Sequence, residues 1–170
     1  MIDELYICDT TMGGQRNWTK GVYLDNRGQA AAIKEWLYDN WGTNPCEIQA
    51  IADDAIFAST GSDKGSVAAE FKDCGVVFRP AQKMQHRLAE GLSIVRSAMA
   101  ATGRSTDSPW LMWSQHCEAW EATVPGLIKH PRDPNVCADG QPDHILDAIR
   151  MGLLWWRAKY RIGQSTFRVW

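Results

Sequence analysis

Several classes of protein are excluded by what this sequence lacks. Its apolar runs are far too short to span a bilayer, and its N-terminus has no basic segment followed by an apolar one. Its five cysteines are scattered without a Cys-x-x-Cys pair, which disfavours both a disulfide framework and a structural zinc site. We therefore expect a cytoplasmic protein with no membrane partner, whose cysteines are small buried hydrophobic residues.

The chain also lacks internal repeats, low-complexity tracts and a long linker. It has 170 residues, of which 45% are apolar and 22% are charged, as in ordinary soluble globular proteins. This length and composition predict one domain with a single hydrophobic core over residues 1–170.

Charge is distributed unevenly along the chain. Residues 1–73 hold 12 acidic and 6 basic side chains, whereas 74–170 hold 8 acidic and 12 basic ones. The stretch 148–170 has five basic side chains, no acidic one, and four Trp or Tyr residues among them. Such a mixture is typical of a nucleic-acid surface, because cations neutralise phosphates and aromatic rings stack on bases. A solvated helix end with aromatics packed on the core is the alternative.

Strand-like and helix-like segments alternate. Strands are predicted at 5–9 and 21–25 around a Gly13-Gly14 turn, and at 47–54 and 76–80. Helices are predicted at 29–41, 65–74, between Lys83 and Gly103, and at 143–159; in the third, Met84, Leu88, Leu92, Val95 and Met99 form one apolar stripe. This alternation indicates an α/β fold with a central sheet flanked by helices.

Carboxylates at the ends of these elements are candidate metal ligands. Asp53 and Asp54 end a predicted strand, where open α/β sheets build their sites. Asp143, Asp147 and Arg150 are spaced i, i+4, i+7 and share one face of the last helix. Carboxylates from two such segments would bind Mg²⁺ or Mn²⁺ through hard oxygen ligands. Two ions about 4 Å apart would activate water for attack on a phosphodiester.

Each of these residues also has a purely structural interpretation. Asp53 is a residue type that caps a following turn, since its carboxylate accepts backbone N–H groups. Asp147 and Arg150 have the spacing of an ordinary ion pair on a solvated helix face. Lys83, between a strand and a helix, contacts either a phosphate or only solvent.

Four segments in the same order resemble the C-terminal nuclease domain of tailed-phage terminase large subunits. The first has Asp53 at a strand tip, and the second reads Gly-Val-Val-Phe-Arg-Pro-Ala-Gln-Lys. The third is a helix with Gly91-Leu92, and the last reads His-Ile-Leu-Asp-Ala-Ile-Arg and fixes four positions of the family pattern within seven residues. The segments are 51–55, 75–83, 88–96 and 143–150.

The resemblance implies an RNase H-like (integrase/RuvC-like) fold with a central mixed sheet and a site for two Mg²⁺ or Mn²⁺ ions. Asp53 then takes the place of the second catalytic acid and Asp147 that of the third, with Asp143 a further candidate metal ligand. The expected activity is metal-dependent endonuclease cleavage of concatemeric viral DNA during genome packaging in a bacteriophage-infected cell. Candidate DNA-binding residues are Lys83, Arg87 and Arg150.

The first catalytic acid of the family has two possible locations. Asp9 ends an apolar strand-like run and is the local candidate. Alternatively, residues 5–9 correspond to the family's second strand, and the first strand with its acid lies upstream of this chain. No Gly-x-x-x-x-Gly-Lys-Ser/Thr loop is present, so no packaging ATPase domain is expected.

Partners implied by the resemblance are double-stranded DNA, the terminase ATPase domain, the small terminase subunit and the portal. A competing hypothesis is a catalytically incomplete RNase H-like module that only binds DNA or docks on the packaging motor. The location of the first acid discriminates between the enzyme and this module.

Overall fold

The computed structural model describes residues 4–62, 65–81, 87–102, 111 and 113–160. Within these ranges the chain is mixed α/β, as the alternation predicts, with six short strands and five α-helices. The strands are β1 (Cys8–Thr10), β2 (Arg16–Gly21), β3 (Ala50–Ala52), β4 (Ser59–Ser62), β5 (Gly65–Ser66) and β6 (Phe78–Pro80). The helices are α1 (Asn26–Trp41), α2 (Val67–Asp73), α3 (Arg87–Thr102), α4 (Glu118–Thr123) and α5 (His144–Tyr160).

The described strands pair two by two. β1 and β2 are antiparallel, β3 and β6 are parallel, and β4 and β5 are antiparallel. The chain divides into two compact units, one formed by Met1–Gly21 with Gln82–Trp170 and the other by Val22–Ala81.

The second unit, Val22–Ala81, is built around α1, α2 and the parallel strands. Asp25 starts α1 because its carboxylate accepts the N–H of Gly28 at 2.7 Å, and Gly42 ends it in the left-handed conformation at φ 57°. Ala30, Phe71 and Val76 form the buried core, and the rings of Phe71 and Phe78 meet edge to face at 5.2 Å. The predicted helix at 29–41 is thereby confirmed, with one more turn at its start.

The segment from β3 to β6 contains the two strands and the helix predicted from sequence, together with an unpredicted hairpin, β4 and β5, between β3 and α2. Ala50, Ile51 and Ala52 pair in parallel with Phe78, Arg79 and Pro80, respectively. Gly75 follows α2 at φ 85°, a conformation that L-residues with a side chain rarely adopt, so the chain turns there into β6. Both predicted strands exist, although each is shorter than the apolar run that indicated it.

The core of the first unit lies between α3, α4 and α5. Its buried members are mostly aliphatic, with Trp120 as the largest side chain. The apolar stripe predicted for α3 is buried at Leu92 and Val95, but Met99 is 38% exposed, so this position was wrongly assigned to the core. The other two stripe positions, Met84 and Leu88, lie outside the described side chains. The buried residues are Leu92, Val95, Ala98, Leu111, Cys117, Trp120 and Leu146.

The N-terminal hairpin differs from its prediction in the position of its second strand. The turn at Gly13-Gly14 is confirmed, but β2 precedes the predicted range 21–25, in which Val22 and Tyr23 are 46% and 94% exposed. The reason is the contact of Tyr6 with Trp18: the Tyr6 hydroxyl donates to the Trp18 carbonyl at 2.8 Å, and their rings meet edge to face at 5.7 Å.

All five cysteines are free thiols. Cys117 is buried, whereas Cys46 is exposed, which corrects the expectation that all five are core residues. Among the residues described, no helix combines the length and the apolar character needed to cross a membrane.

Candidate functional site

Asp53 follows the C-terminal end of β3 in the second unit. It starts a one-turn 3-10 helix, and its carboxylate accepts the N–H of Ala55 at 2.9 Å. The N–H of Ala81 donates to the carbonyl of Ala52 at 2.8 Å, so the β3–β6 pairing continues to this edge. Asp53 is therefore a capping residue located at the strand end where α/β folds place functional groups.

Two of the candidate DNA-binding residues, Lys83 and Arg87, are only partly described or not described. Lys83 lies outside the described residues. Arg87 is the first residue of α3, and its side chain also lies outside them.

A cavity of about 400 Å³ opens beside α5 in the first unit. Asp143, directly before α5, and Asp147, in its first turn, both line it. The i, i+4 spacing thus places two predicted metal ligands in one cavity. Two further aspartates, which sequence reasoning missed, come from the loop before the helix. The titratable lining residues are His130, Asp133, Cys137, Asp139, Asp143 and Asp147, and we call this cavity the acidic pocket.

Hydrogen bonds hold the loop that forms one wall of the acidic pocket. The Gln141 amide donates to the carbonyl of Ile128 at 2.8 Å and accepts the N–H of Ile128 at 2.6 Å. Lys129 and Cys137 form an isolated antiparallel bridge, and the N–H of Ala138 donates to the carbonyl of Ile128 at 2.9 Å. These bonds tie the loop back on itself next to α5, so its aspartates are held on a braced segment.

Four aspartates line the acidic pocket, and its described lining includes no lysine or arginine. Partial burial raises the pKa of the Cys137 thiol above its usual value, and the charges of Asp143 and Asp147 raise it further. Arg96 and Arg150 oppose this effect. The aspartate charges that disfavour a thiolate at Cys137 would favour a cation at the same place.

Asp147 is bound by Arg150. The Nε and Nη2 atoms of Arg150 lie 3.0 and 2.9 Å from the same oxygen, Oδ1 of Asp147. The Arg150 side chain is only 7% exposed, whereas that of Asp147 is 42% exposed. The predicted ion pair is therefore present, but its basic member is buried rather than on a solvated face.

Burial of Arg150 is the feature of this site that the helical pattern misassigned. Of the predicted apolar face of α5, Ile145 and Ile149 pack partly buried against the core, whereas Trp156 is 37% exposed. The most deeply buried positions of the helix are Leu146, Arg150 and Leu154. The signal that was available is their i, i+4, i+8 spacing, with one leucine on each side of the arginine.

Asp9 is in a different environment on the β1–β2 hairpin of the same unit. Its Oδ2 lies 2.7 Å from Nζ of Lys20, and its Oδ1 accepts the N–H of Thr10 at 2.8 Å. The hydrogen bond from Lys20, followed by that from Thr10, holds the pKa of Asp9 below its usual value. Among the described residues that line the acidic pocket, Asp9 is absent.

The acidic pocket fits Mg²⁺ or Mn²⁺ in the chemistry of its donors. Mg²⁺ in proteins commonly takes one or two carboxylates and completes its shell with water and substrate phosphate, and Asp143 and Asp147 supply two carboxylates. Within the described ranges no three His, Cys, Asp or Glu side chains converge in the arrangement of a protein-only metal site. An ion held by Asp143 and Asp147 would therefore complete its shell with water and a bound ligand.

The structure thus brings Asp143, Asp147 and Arg150 together in the first unit, where Asp9 is paired with Lys20, and places Asp53 in the second unit. No family model matches the chain, and no curated protein or solved structure is significantly similar to it.

Proposed function

We propose that this protein is a metal-dependent DNA endonuclease with an RNase H-like fold and a central mixed sheet, similar to the nuclease domain of terminase large subunits. Asp53 and Asp147 are its metal-binding carboxylates, with Asp143 as a further ligand. The observation that carries the proposal is the acidic pocket, which is lined by Asp147 of the His-x-x-Asp-Ala-x-Arg segment and by Asp143 directly before it. The position of Asp53 at the end of a parallel strand supports the same function.

The chain's own residues contribute binding and orientation. Bound Mg²⁺ or Mn²⁺ would supply an activated water and offset negative charge on the scissile phosphate. Asp143 and Asp147 attract the cation, and Arg150 fixes one oxygen of Asp147. Without a cation the four aspartates of the acidic pocket repel a phosphate backbone, so DNA affinity and metal affinity are coupled.

Substrate and partners follow from the resemblance. The substrate is double-stranded DNA, bound through its backbone without sequence specificity, as suits cutting of concatemers. The terminase ATPase domain, the small subunit and the portal are the corresponding partners.

The proposal is tested by nicking of supercoiled plasmid in Mn²⁺, in Mg²⁺ and in EDTA. We expect nicking in either metal and none in EDTA. Asp53→Asn retains an oxygen that accepts the N–H of Ala55, so it removes charge without removing the cap. Combining Asp53→Asn with Asp147→Asn should lower the nicking rate about 100-fold or more, because the loss of metal ligation removes several kcal/mol of transition-state stabilisation.

Asp73→Asn is the matched control, since Asp73 is an exposed acid in the last turn of α2. Its nicking rate should equal that of the parent. Asp9→Asn decides between the two locations of the first acid: loss of nicking assigns that role to Asp9, and retained nicking excludes it. A folded parent protein that binds DNA but never nicks it contradicts the proposal and favours the non-catalytic module.

A further inference from the structure

Gly91 of α3 lies directly against Arg150 and Leu154 of α5. A Cβ atom built on Gly91 would lie 2.3 Å from Cγ and 2.9 Å from Cδ of Arg150, and 2.9 Å from Cδ1 of Leu154. Real Cβ atoms essentially never come within 3.0 Å of another heavy atom, so the absence of a side chain at residue 91 creates the space for Arg150. Gly91 therefore forms a seat for the aliphatic part of this arginine.

The guanidinium of Arg150, beyond the aliphatic part that contacts Gly91, is paired with Asp147. Its Nε donates to Oδ1 of Asp147 at 3.0 Å, its Nη2 lies 2.9 Å from the same oxygen, and the residue as a whole is 5% exposed. A buried guanidinium is costly unless it is paired, so the arginine and its partner fix each other's geometry. Both of these contacts are made to one carboxylate oxygen, Oδ1 of Asp147.

A contact with DNA does not explain this arrangement, because a guanidinium this deeply buried is not on the surface that a phosphate backbone reaches. General stabilisation of the helix pair does not require it either. Arg157 and Glu90 already join the same two helices, with 2.9 Å between Nη2 and Oε1, and do not line the acidic pocket. What distinguishes the Arg150 pair is that its carboxylate lines that pocket.

We propose that Arg150, seated on Gly91, is a positioning residue that orients Asp147 for a divalent cation in the acidic pocket. The inference rests on the proposed function, which makes Asp147 a metal ligand. Arg150 holds Oδ1 and thereby fixes the carboxylate plane, so the carboxylate binds the ion without the entropy cost of ordering a free side chain. Gly91 acts one step further away, by allowing Arg150 to occupy this position.

The test is Mn²⁺ affinity of the full chain, measured from the EPR signal of free Mn²⁺ in the absence of DNA. Arg150→Lys keeps the charge and most of the aliphatic chain but loses the planar fork that grips Oδ1. We expect it to weaken Mn²⁺ binding about 10- to 100-fold, the usual effect of removing a partner that orients a metal ligand. Gly91→Ala retains the arginine but displaces it, and should weaken binding in the same direction.

Each variant has a matched control on the same helix pair. Arg157→Lys makes the same exchange in the pair with Glu90, and Gly152→Ala adds a methyl group in α5 where nothing lies within 4 Å. Both controls should bind Mn²⁺ as tightly as the parent. Thermal unfolding without metal shows that the affinities are compared between folded proteins.

Three outcomes overturn the inference. If Arg150→Lys and Gly91→Ala bind Mn²⁺ as the parent does, the pair is only structural, while the proposed function stands. If Arg157→Lys weakens binding equally, loosening of the helix interface is the cause rather than positioning. If the parent neither binds Mn²⁺ nor nicks plasmid, the proposed function fails and takes this inference with it.

Discussion

Two of the aspartates predicted to bind metal, Asp9 and Asp147, each pair with one basic side chain, but in opposite surroundings. On the β1–β2 hairpin, the side chains of Lys20 and Asp9 are 67% and 40% exposed. At the α3–α5 interface, the Arg150 side chain is 7% exposed. The two pairs have similar nitrogen–oxygen distances, 2.7 and 2.9 Å, so distance alone does not tell them apart.

The comparison teaches that burial decides what an ion pair can do. In water, two charges 4 Å apart attract each other by only about 1 kcal/mol, and the exposed pair exchanges readily with solvent. A buried guanidinium has no solvent to replace its partner, so it retains one geometry. The first pair stabilises a hairpin slightly, whereas the second holds a carboxylate in a fixed orientation.

The largest expected effect is that of removing the partner of the buried charge. Asp147→Ala leaves the Arg150 guanidinium without its carboxylate and should lower the free energy of unfolding by about 3–5 kcal/mol. Arg150→Met should cost less, because its chain still fills the space beside Gly91 and the remaining carboxylate is partly solvated. Urea unfolding followed by circular dichroism measures both values.

Asp9→Ala is the counterpart on the hairpin and should change the free energy of unfolding far less than Asp147→Ala does, because the pair is exposed to solvent. The comparison is broken if Asp9→Ala and Asp147→Ala destabilise the protein equally. The comparison also fails if Arg150→Met lowers the free energy of unfolding more than Asp147→Ala does.

A smaller effect is expected from the glycine beneath the buried pair. Gly91→Ala overpacks the α3–α5 interface and should destabilise the protein by about 1–3 kcal/mol, despite the better helix propensity of alanine. Gly152→Ala, with open space around it, should stabilise the protein by up to about 1 kcal/mol. Thermal unfolding measures both variants. Their melting temperatures should shift in opposite directions if Arg150 occupies the space beside Gly91, and in the same direction if it does not.

The contrast between these two regions also shows which structural features local sequence pattern predicts. Helix periodicity and the glycines at 42 and 75 located α1, α2 and the start of β6, because a capping conformation is a local property. Arg150 is different: its burial depends on a glycine 59 positions earlier, on another helix. Periodicity within one helix carries no information on that partner.

The candidate site also has features that local sequence pattern predicts and others that depend on distant contacts. The spacing of Asp143 and Asp147 predicted that they share a face, and they do line one pocket. The loop aspartates at 133 and 139 were missed, because their approach to α5 depends on the bonds between Gln141 and Ile128. The strand predicted at 21–25 was wrong since β2 is fixed by the contact of Tyr6 with Trp18, which is also non-local.

The smallest effect concerns the pKa of Asp9. Because Lys20 is the main cause of its lowered pKa, Lys20→Met should raise the pKa of Asp9 toward the usual value, leaving only the effect of the Thr10 N–H. The stability that this carboxylate contributes is present above its unfolded-state pKa and is lost as pH falls through the lowered folded-state pKa. Carboxyl-carbon NMR titration at low and high salt measures the shift, and screening should reduce it.

The same NMR signals also distinguish the two ion pairs when Mn²⁺ is added. A paramagnetic ion broadens the signal of the carboxyl carbon of any residue that binds it. We expect the Asp147 signal to broaden at the Mn²⁺ concentrations that support nicking. If the Asp9 signal stays sharp there and its pKa responds only to Lys20, its ion pair serves the hairpin alone. Broadening of both signals together, with loss of the contact to Lys20, would instead assign Asp9 to the metal site, and the exposed pair would be the one that metal binding breaks.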